Sequence, residues 1–118
     1  PRKKTEVTLM KIRAVIEKTG ATVLAPGDAE RELAGAISGD LLSFIMAEAK
    51  EGWLWITIQV HLNVAAVAVL KDVPFILVAS GRAPEQALVE RCTTEGISLA
   101  VTKLPAFEAA GVLRELAR

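Results

Sequence analysis

One cysteine, Cys92, and one histidine, His61, stand in 118 residues. A lone cysteine closes no intrachain disulfide, and one Cys with one His is too few for a structural zinc site. The chain fits a reducing compartment, and a cytoplasmic location is expected. Charge of one sign is not in excess either. The chain has 14 Lys+Arg and 14 Asp+Glu, for a formal net charge of zero. No basic surplus is available to neutralise phosphates, so binding to nucleic acid by charge is not expected. Long hydrophobic runs are missing as well. The two longest lie around residues 54–56 and over 64–70, far short of the ~20 residues that span a bilayer. The opening Pro1-Arg2-Lys3-Lys4 leads into polar residues, so no signal peptide and no membrane partner are expected. The chain carries no Walker loop, no GxGxxG, no HExxH and no GxSxG. No cofactor is expected.

What the chain does have is apolar side chains. The hydrophobic set makes up 52% before the 8 glycines are added. Soluble domains average about 45–50% with glycine included. That composition excludes a disordered chain, and the length is enough to bury a core without staples. Zero net charge with surplus apolar surface points to association.

The pattern alternates. Residues 9–19 read as a helix, with Leu9, Ile12, Val15 and Ile16 on one face, Thr8 as its cap and Gly20 as its stop. Residues 21–24 read as a short strand, stopped by Pro26-Gly27-Asp28, and 33–37 as a weaker one. Asp40 stands where an N-cap belongs, ahead of a helix over 41–49. Residues 53–58 are the clearest strand, apolar on both faces, as a sheet covered on both sides requires. A helix follows from His61 or Asn63 through Asp72; its apolar run 64–70 goes all the way round, which predicts burial on more than one side. Residues 75–79 form a further buried strand. Pro84 fits the first turn of a helix running to Thr94, with Gly96 as its stop. Residues 97–101 form a last strand, and Pro105 opens a final helix. The order predicts one α/β domain over residues 1–118. Its sheet is mostly parallel, of about 4–5 strands, with helices on both faces.

In such a sheet, ligands bind beyond the carboxyl ends of the strands. The loops there are Ser38-Gly39-Asp40, Gln59-Val60-His61-Leu62-Asn63, Ser80-Gly81-Arg82 and Thr102-Lys103. They are polar, small or cationic, whereas the strands before them are not. Helix N-termini follow each loop and offer free N–H groups to an anion. Arg82 and Lys103 are the cations that would hold a phosphate or carboxylate. The candidate ligand contacts are Ser38, Gly39, Asp40, Thr57, Gln59, His61, Asn63, Arg82 and Lys103. A blander reading competes with this one: polar residues at helix starts serve as caps, for Ser38 and Asp40 above all, and a lone histidine there serves as a cap or an interface hydrogen bond. Cys92 reads as a structural thiol, and Trp53 and Trp55 as core or interface. No nucleophile with its base and orienting group is recognisable in sequence, and catalysis by His61 with Asp40 is the remote alternative.

The run Ser38-Gly39-Asp40-Leu41-Leu42-Ser43-Phe44-Ile45-Met46-Ala47-Glu48-Ala49-Lys50-Glu51-Gly52, followed by Trp55-Ile56-Thr57-Ile58-Gln59 and His61-Leu62-Asn63-Val64-Ala65-Ala66-Val67-Ala68, resembles the DRTGG domain family. Gly81-Arg82-Ala83-Pro84 and Pro105 through Gly111 extend the resemblance over nearly the whole chain. The naming motif is degenerate: Glu30-Arg31 stands for Asp-Arg, and Ala34-Gly35-Ala36 for Thr-Gly-Gly. The resemblance implies an accessory, regulatory and non-catalytic domain. Such domains occur in regulatory inorganic pyrophosphatases between CBS modules, and in phosphotransacetylases, and look related to the N-terminal domain of HPr kinase/phosphorylase. In the pyrophosphatases the domain sits at a dimer interface near bound adenine nucleotides. A homodimer, with an adenine nucleotide or another small anion as ligand, is therefore the expectation. A homodimeric interaction module with no small-molecule ligand is the alternative.

Overall fold

The computed structural model describes residues 10–117. The elements run β1 (Met10–Lys11), α1 (Ile12–Thr19), β2 (Thr22–Ala25), β3 (Glu32–Leu33), β4 (Gly35–Ser38), α2 (Leu42–Glu48), β5 (Trp53–Thr57), α3 (Asn63–Leu70), β6 (Phe75–Val78), α4 (Gln86–Glu95), β7 (Ser98–Val101) and α5 (Ala106–Leu116). Strands β4, β5, β6 and β7 are parallel and β2 adds antiparallel to β7, giving the order β2-β7-β6-β5-β4. This is the expected mostly parallel α/β sheet. β1 and β3 form a separate antiparallel pair, Met10 opposite Leu33.

The sheet is covered on both faces because its strands are apolar on both. Trp55, Ile76, Val78 and Leu99 pack with Ile45 of α2, Val64 and Ala68 of α3, and Leu88 and Cys92 of α4. On the other face Leu54, Ile56, Phe75 and Leu77 pack with Ile12 and Val15 of α1 and Ala109 and Leu113 of α5. Every residue of β6 is buried, as its central position requires. Much of the apolar surplus is thus consumed by the chain's own core. In α3, Val64, Ala65, Val67 and Ala68 are buried between sheet and neighbouring helices. Its other side, Ala66 and Leu70, faces outward, so the all-round apolar run is only partly enclosed.

Four local expectations are corrected. The first helix begins at Ile12, because Met10 and Lys11 are extended and pair with β3. The Leu9 and Thr8 of the expected helix start lie outside the described residues. Gly20 does close α1 in the left-handed conformation, at φ 66°, and Gly96 closes α4 at φ 71°. The strand expected over 33–37 breaks at Ala34. In an unbroken strand Leu33 and Ile37 would share a face; instead Leu33 packs on the α1/α5 side and Ile37 on the α2–α4 side. The Ala34 N–H turns to the Gly52 carbonyl, 3.0 Å away, at this change of face. Pro84 lies before α4, whose N-cap is Glu85. Asp40 is not the cap of α2; Leu41 takes that position, with no side-chain cap bond.

Candidate functional site

The carboxyl ends of β4, β5, β6 and β7 lie along one edge, as parallel pairing in this register requires. Asp40 ties two of its loops together. Its Oδ1 accepts the Thr57 hydroxyl at 2.8 Å and the Ile58 N–H at 2.8 Å. The Gln59 side-chain amide donates to the Asp40 carbonyl at 2.8 Å, and the Gln59 N–H donates to Thr57 Oγ1 at 3.1 Å. Charge-assisted bonds to a carboxylate of this kind are the stronger ones. Trp55 adds a further tie from below. Its indole N–H, on a fully buried ring, donates to the Gly39 carbonyl at 2.8 Å. A buried Trp needs an acceptor, and Gly39 supplies it where a Cβ would stand 3.3 Å from the Phe44 ring. Thr57 and Gly39 thus have structural partners.

The next two loops are joined backbone to backbone. The Ser80 N–H donates to the Leu104 carbonyl and the Gly81 N–H to the Thr102 carbonyl, both at 2.8 Å. Ser80 and Gly81 are both left-handed, at φ 62° and 66°, which turns the chain sharply here. Below them the buried Thr102 hydroxyl donates to the Thr19 carbonyl at 2.8 Å and accepts the Leu104 N–H at 3.2 Å. This zipper brings Arg82 and Lys103 to one corner; a Cβ on Gly81 would touch the Lys103 stem at 4.0 Å. Arg82 reaches over β5, donating from Nη1 to the Ile58 carbonyl at 2.7 Å. That leaves its other donors and the Lys103 ammonium facing solvent. Among the described residues neither cation has a carboxylate partner.

His61 is exposed and held locally. The Asn63 N–H donates to its Nδ1 at 3.2 Å, with Asn63 Oδ1 at 3.0 Å. Its Nε2 stands 3.9 Å from Glu85 Oε1. Asp40 is committed to Thr57 and Ile58 rather than to His61. Ser38 does not join the group. It lines a cavity of about 300 Å³ on the α1/α5 side of β4, together with Met10, Ile56, Ala110 and Arg114.

The degenerate motif lies at the opposite, amino end of the strands. Arg31 lines a cavity of about 240 Å³ there with Glu51, Asp72, Pro74 and Glu95. Gly35 has a packing reason for being glycine: an added Cβ would come within 2.6 Å of the Trp53 indole nitrogen. Cys92 is fully buried in the helix-covered core. Burial pushes its thiol up to about 11, with the Arg91 charge opposing weakly, so it is not a nucleophile at neutral pH.

Sequence reasoning did not single out Leu41 and Leu62, which are 68% and 38% exposed at the loop ends beside Asp40 and His61. The Asp40 staple was missed as well. Its one sequence signal is that Thr57 closes an apolar strand and needs a partner for its hydroxyl.

No family model matches the chain, and no curated protein matches it. A solved structure does: the CBS and DRTGG domains of the regulatory region of a Clostridium perfringens pyrophosphatase, complexed with the activator diadenosine tetraphosphate. The two superpose with a TM-score of 0.76 at 14% identity, over 91% of this chain and 47% of that one. This chain therefore spans about half the length of the structure it resembles. Likeness of this kind carries the architecture and leaves function to the site. The parallel sheet, its two covered faces and this superposition together give the chain a DRTGG-like α/β fold.

Proposed function

We propose that the chain is a non-catalytic regulatory module, homodimeric and cytoplasmic, that responds to an adenine nucleotide or similar small anion at the carboxyl edge of its sheet. The observation that carries this reading is the cationic corner of Arg82 and Lys103, held on two zipped loops with no carboxylate partner among the described residues. Ligands of open parallel sheets dock at this edge, and paired cations at a loop edge are suited to phosphate. The resembled regulatory region is itself complexed with a nucleotide activator. A non-catalytic role accords with the commitments of the polar groups. Asp40 is bonded to Thr57 and Ile58, and His61 Nδ1 is taken by Asn63.

Titration calorimetry with AMP, ADP, ATP and inorganic phosphate tests the reading. Saturable heat with ATP, lost in the Arg82→Gln/Lys103→Gln variant, is the expected result. Silence across the panel at millimolar concentration would remove it.

A second reading, a homodimeric interaction module without a small ligand, is favoured by one specific observation. Leu41 and Phe44 are 68% and 46% exposed beside β4, and among the described residues no strand pairs with the outer edge of β4. Exposed apolar surface beside a sheet edge invites a partner. Light scattering at tens of micromolar decides the homodimer: a strict monomer refutes it.

A further inference from the structure

The carboxyl edge changes character along its length, and the change is ordered. At the β4 end stands Leu41, with Leu62 on the neighbouring loop after β5; both are large, aliphatic and exposed. Next comes Asp40. Its Oδ1 is occupied by the Thr57 hydroxyl and the Ile58 N–H, whereas Oδ2 has no hydrogen-bond donor among the described residues. Beyond it lie two cations: Arg82, rooted on the loop after β6, lays its Nη1 on the Ile58 carbonyl at the end of β5, 2.7 Å away, and Lys103 stands on the loop after β7. Adjacent strands lie about 4.8 Å apart, so the edge from β4 to β7 extends over roughly 14 Å. An apolar end, a single acceptor and two cations spread from β5 to β7 match a nucleoside with an extended phosphate chain.

We infer that a nucleotide lies along this edge in one direction, its base over Leu41 and Leu62, its ribose hydroxyls at Asp40 Oδ2 and its phosphates at Arg82 and Lys103. The inference rests on the nucleotide reading above and adds the orientation. Burial of a planar, weakly polar base against exposed leucines is favourable by area. A free carboxylate oxygen is an acceptor for a ribose diol, as acidic residues are in dinucleotide sites. The Asp40 charge also fixes the polarity. It disfavours phosphates at the β4 end and leaves them Arg82 and Lys103, which have no carboxylate partner among the described residues. Glu85, the nearby carboxylate on the β6 side, is turned towards His61, so the Lys103 side is the open path.

The orientation predicts a dependence on phosphate number. In calorimetric titrations of the wild-type chain, affinity rises from AMP to ADP to ATP. The Arg82→Gln/Lys103→Gln variant weakens ATP about fivefold to tenfold, the worth of two exposed charge contacts, and AMP by less than about twofold. Leu41→Ser weakens all three nucleotides by a common factor of about threefold, because every one of them carries the base. Lys103→Gln alone guards against a folding defect, since among the described residues the Lys103 ammonium holds no other group in place. If nucleotides bind but Leu41→Ser changes none of the affinities, or the cation variants weaken AMP and ATP alike, the orientation is wrong and nucleotide binding stands. If none of the three binds, both the orientation and the nucleotide reading fall.

Discussion

The two ends of the parallel sheet are built by different means. At the carboxyl end, loops are tied by side chains: Asp40 to Thr57 and Ile58, Trp55 to Gly39, Arg82 to Ile58. At the amino end, the chain is closed by close approach. Gly35 lies against the Trp53 ring, and the Gly52 backbone bonds to Ala34 and Asp72. The residues standing for the naming motif are at this second end, where Gly35 serves packing and Arg31 sits among carboxylates. Arg82 and Lys103, which have no carboxylate partner among the described residues, are at the first. The lesson is that the degenerate motif and the candidate anion site are separate, and loss of motif residues leaves the cationic corner intact.

The largest effect is expected from removing the carboxyl-end tie. Asp40→Ala leaves the buried Thr57 hydroxyl and the Ile58 N–H without their acceptor, at a cost of about 2–3 kcal/mol in urea unfolding. Asp40→Asn, which keeps an oxygen acceptor, should recover more than half of that loss. Equal losses in the two variants would show that the charge matters and the geometry does not. At the amino end, Gly35→Ala forces a Cβ against the Trp53 ring and should cost about 1–2 kcal/mol by the same measurement. A neutral or stabilising result would mean that this end gives way easily, and the contrast would collapse.

Between these lies a pH effect set by Cys92. Its thiol is pushed from 9.0 to about 11 by burial. The folded state therefore holds this proton more tightly than the unfolded one. The associated stability is fully present below about pH 9 and is lost as pH rises towards 11. The shift corresponds to about 2–3 kcal/mol at most. Unfolding of the wild type and of Cys92→Ala across pH 8–11 should show the wild type losing its advantage in that window; parallel curves would contradict a buried neutral thiol. The smallest effect belongs to the exposed Glu30, which pairs with Lys11 and Arg13. Glu30→Gln should cost less than about 1 kcal/mol, falling towards zero in high salt.

Much of the fold was legible because helix and strand periods differ and because glycine marks helix ends. Gly20 and Gly96 stop α1 and α4 as expected, and the strand–helix alternation after residue 32 predicts the parallel sheet. The break at Ala34 was not legible, since Leu33 through Ile37 carries no proline or charge to mark a change of face. The role of Asp40 was misplaced for a physical reason. An aspartate ahead of a helix has the same local sequence whether it caps that helix or reaches the next strand, and only the proximity of Thr57 and Ile58 decides between the two. The Arg82–Lys103 corner was anticipated as two cations on one edge. Their junction through the Ser80–Leu104 and Gly81–Thr102 bonds is a tertiary fact.

The contrast between the two ends also offers the most direct test of the proposed function. Amide chemical shifts followed by NMR during titration with ATP report which end is occupied. The account predicts perturbations concentrated at Gln59, Arg82 and Lys103, saturating with nucleotide. Perturbations concentrated instead at Arg31, Asp72 and Gly96, around the amino-end cavity, would contradict it.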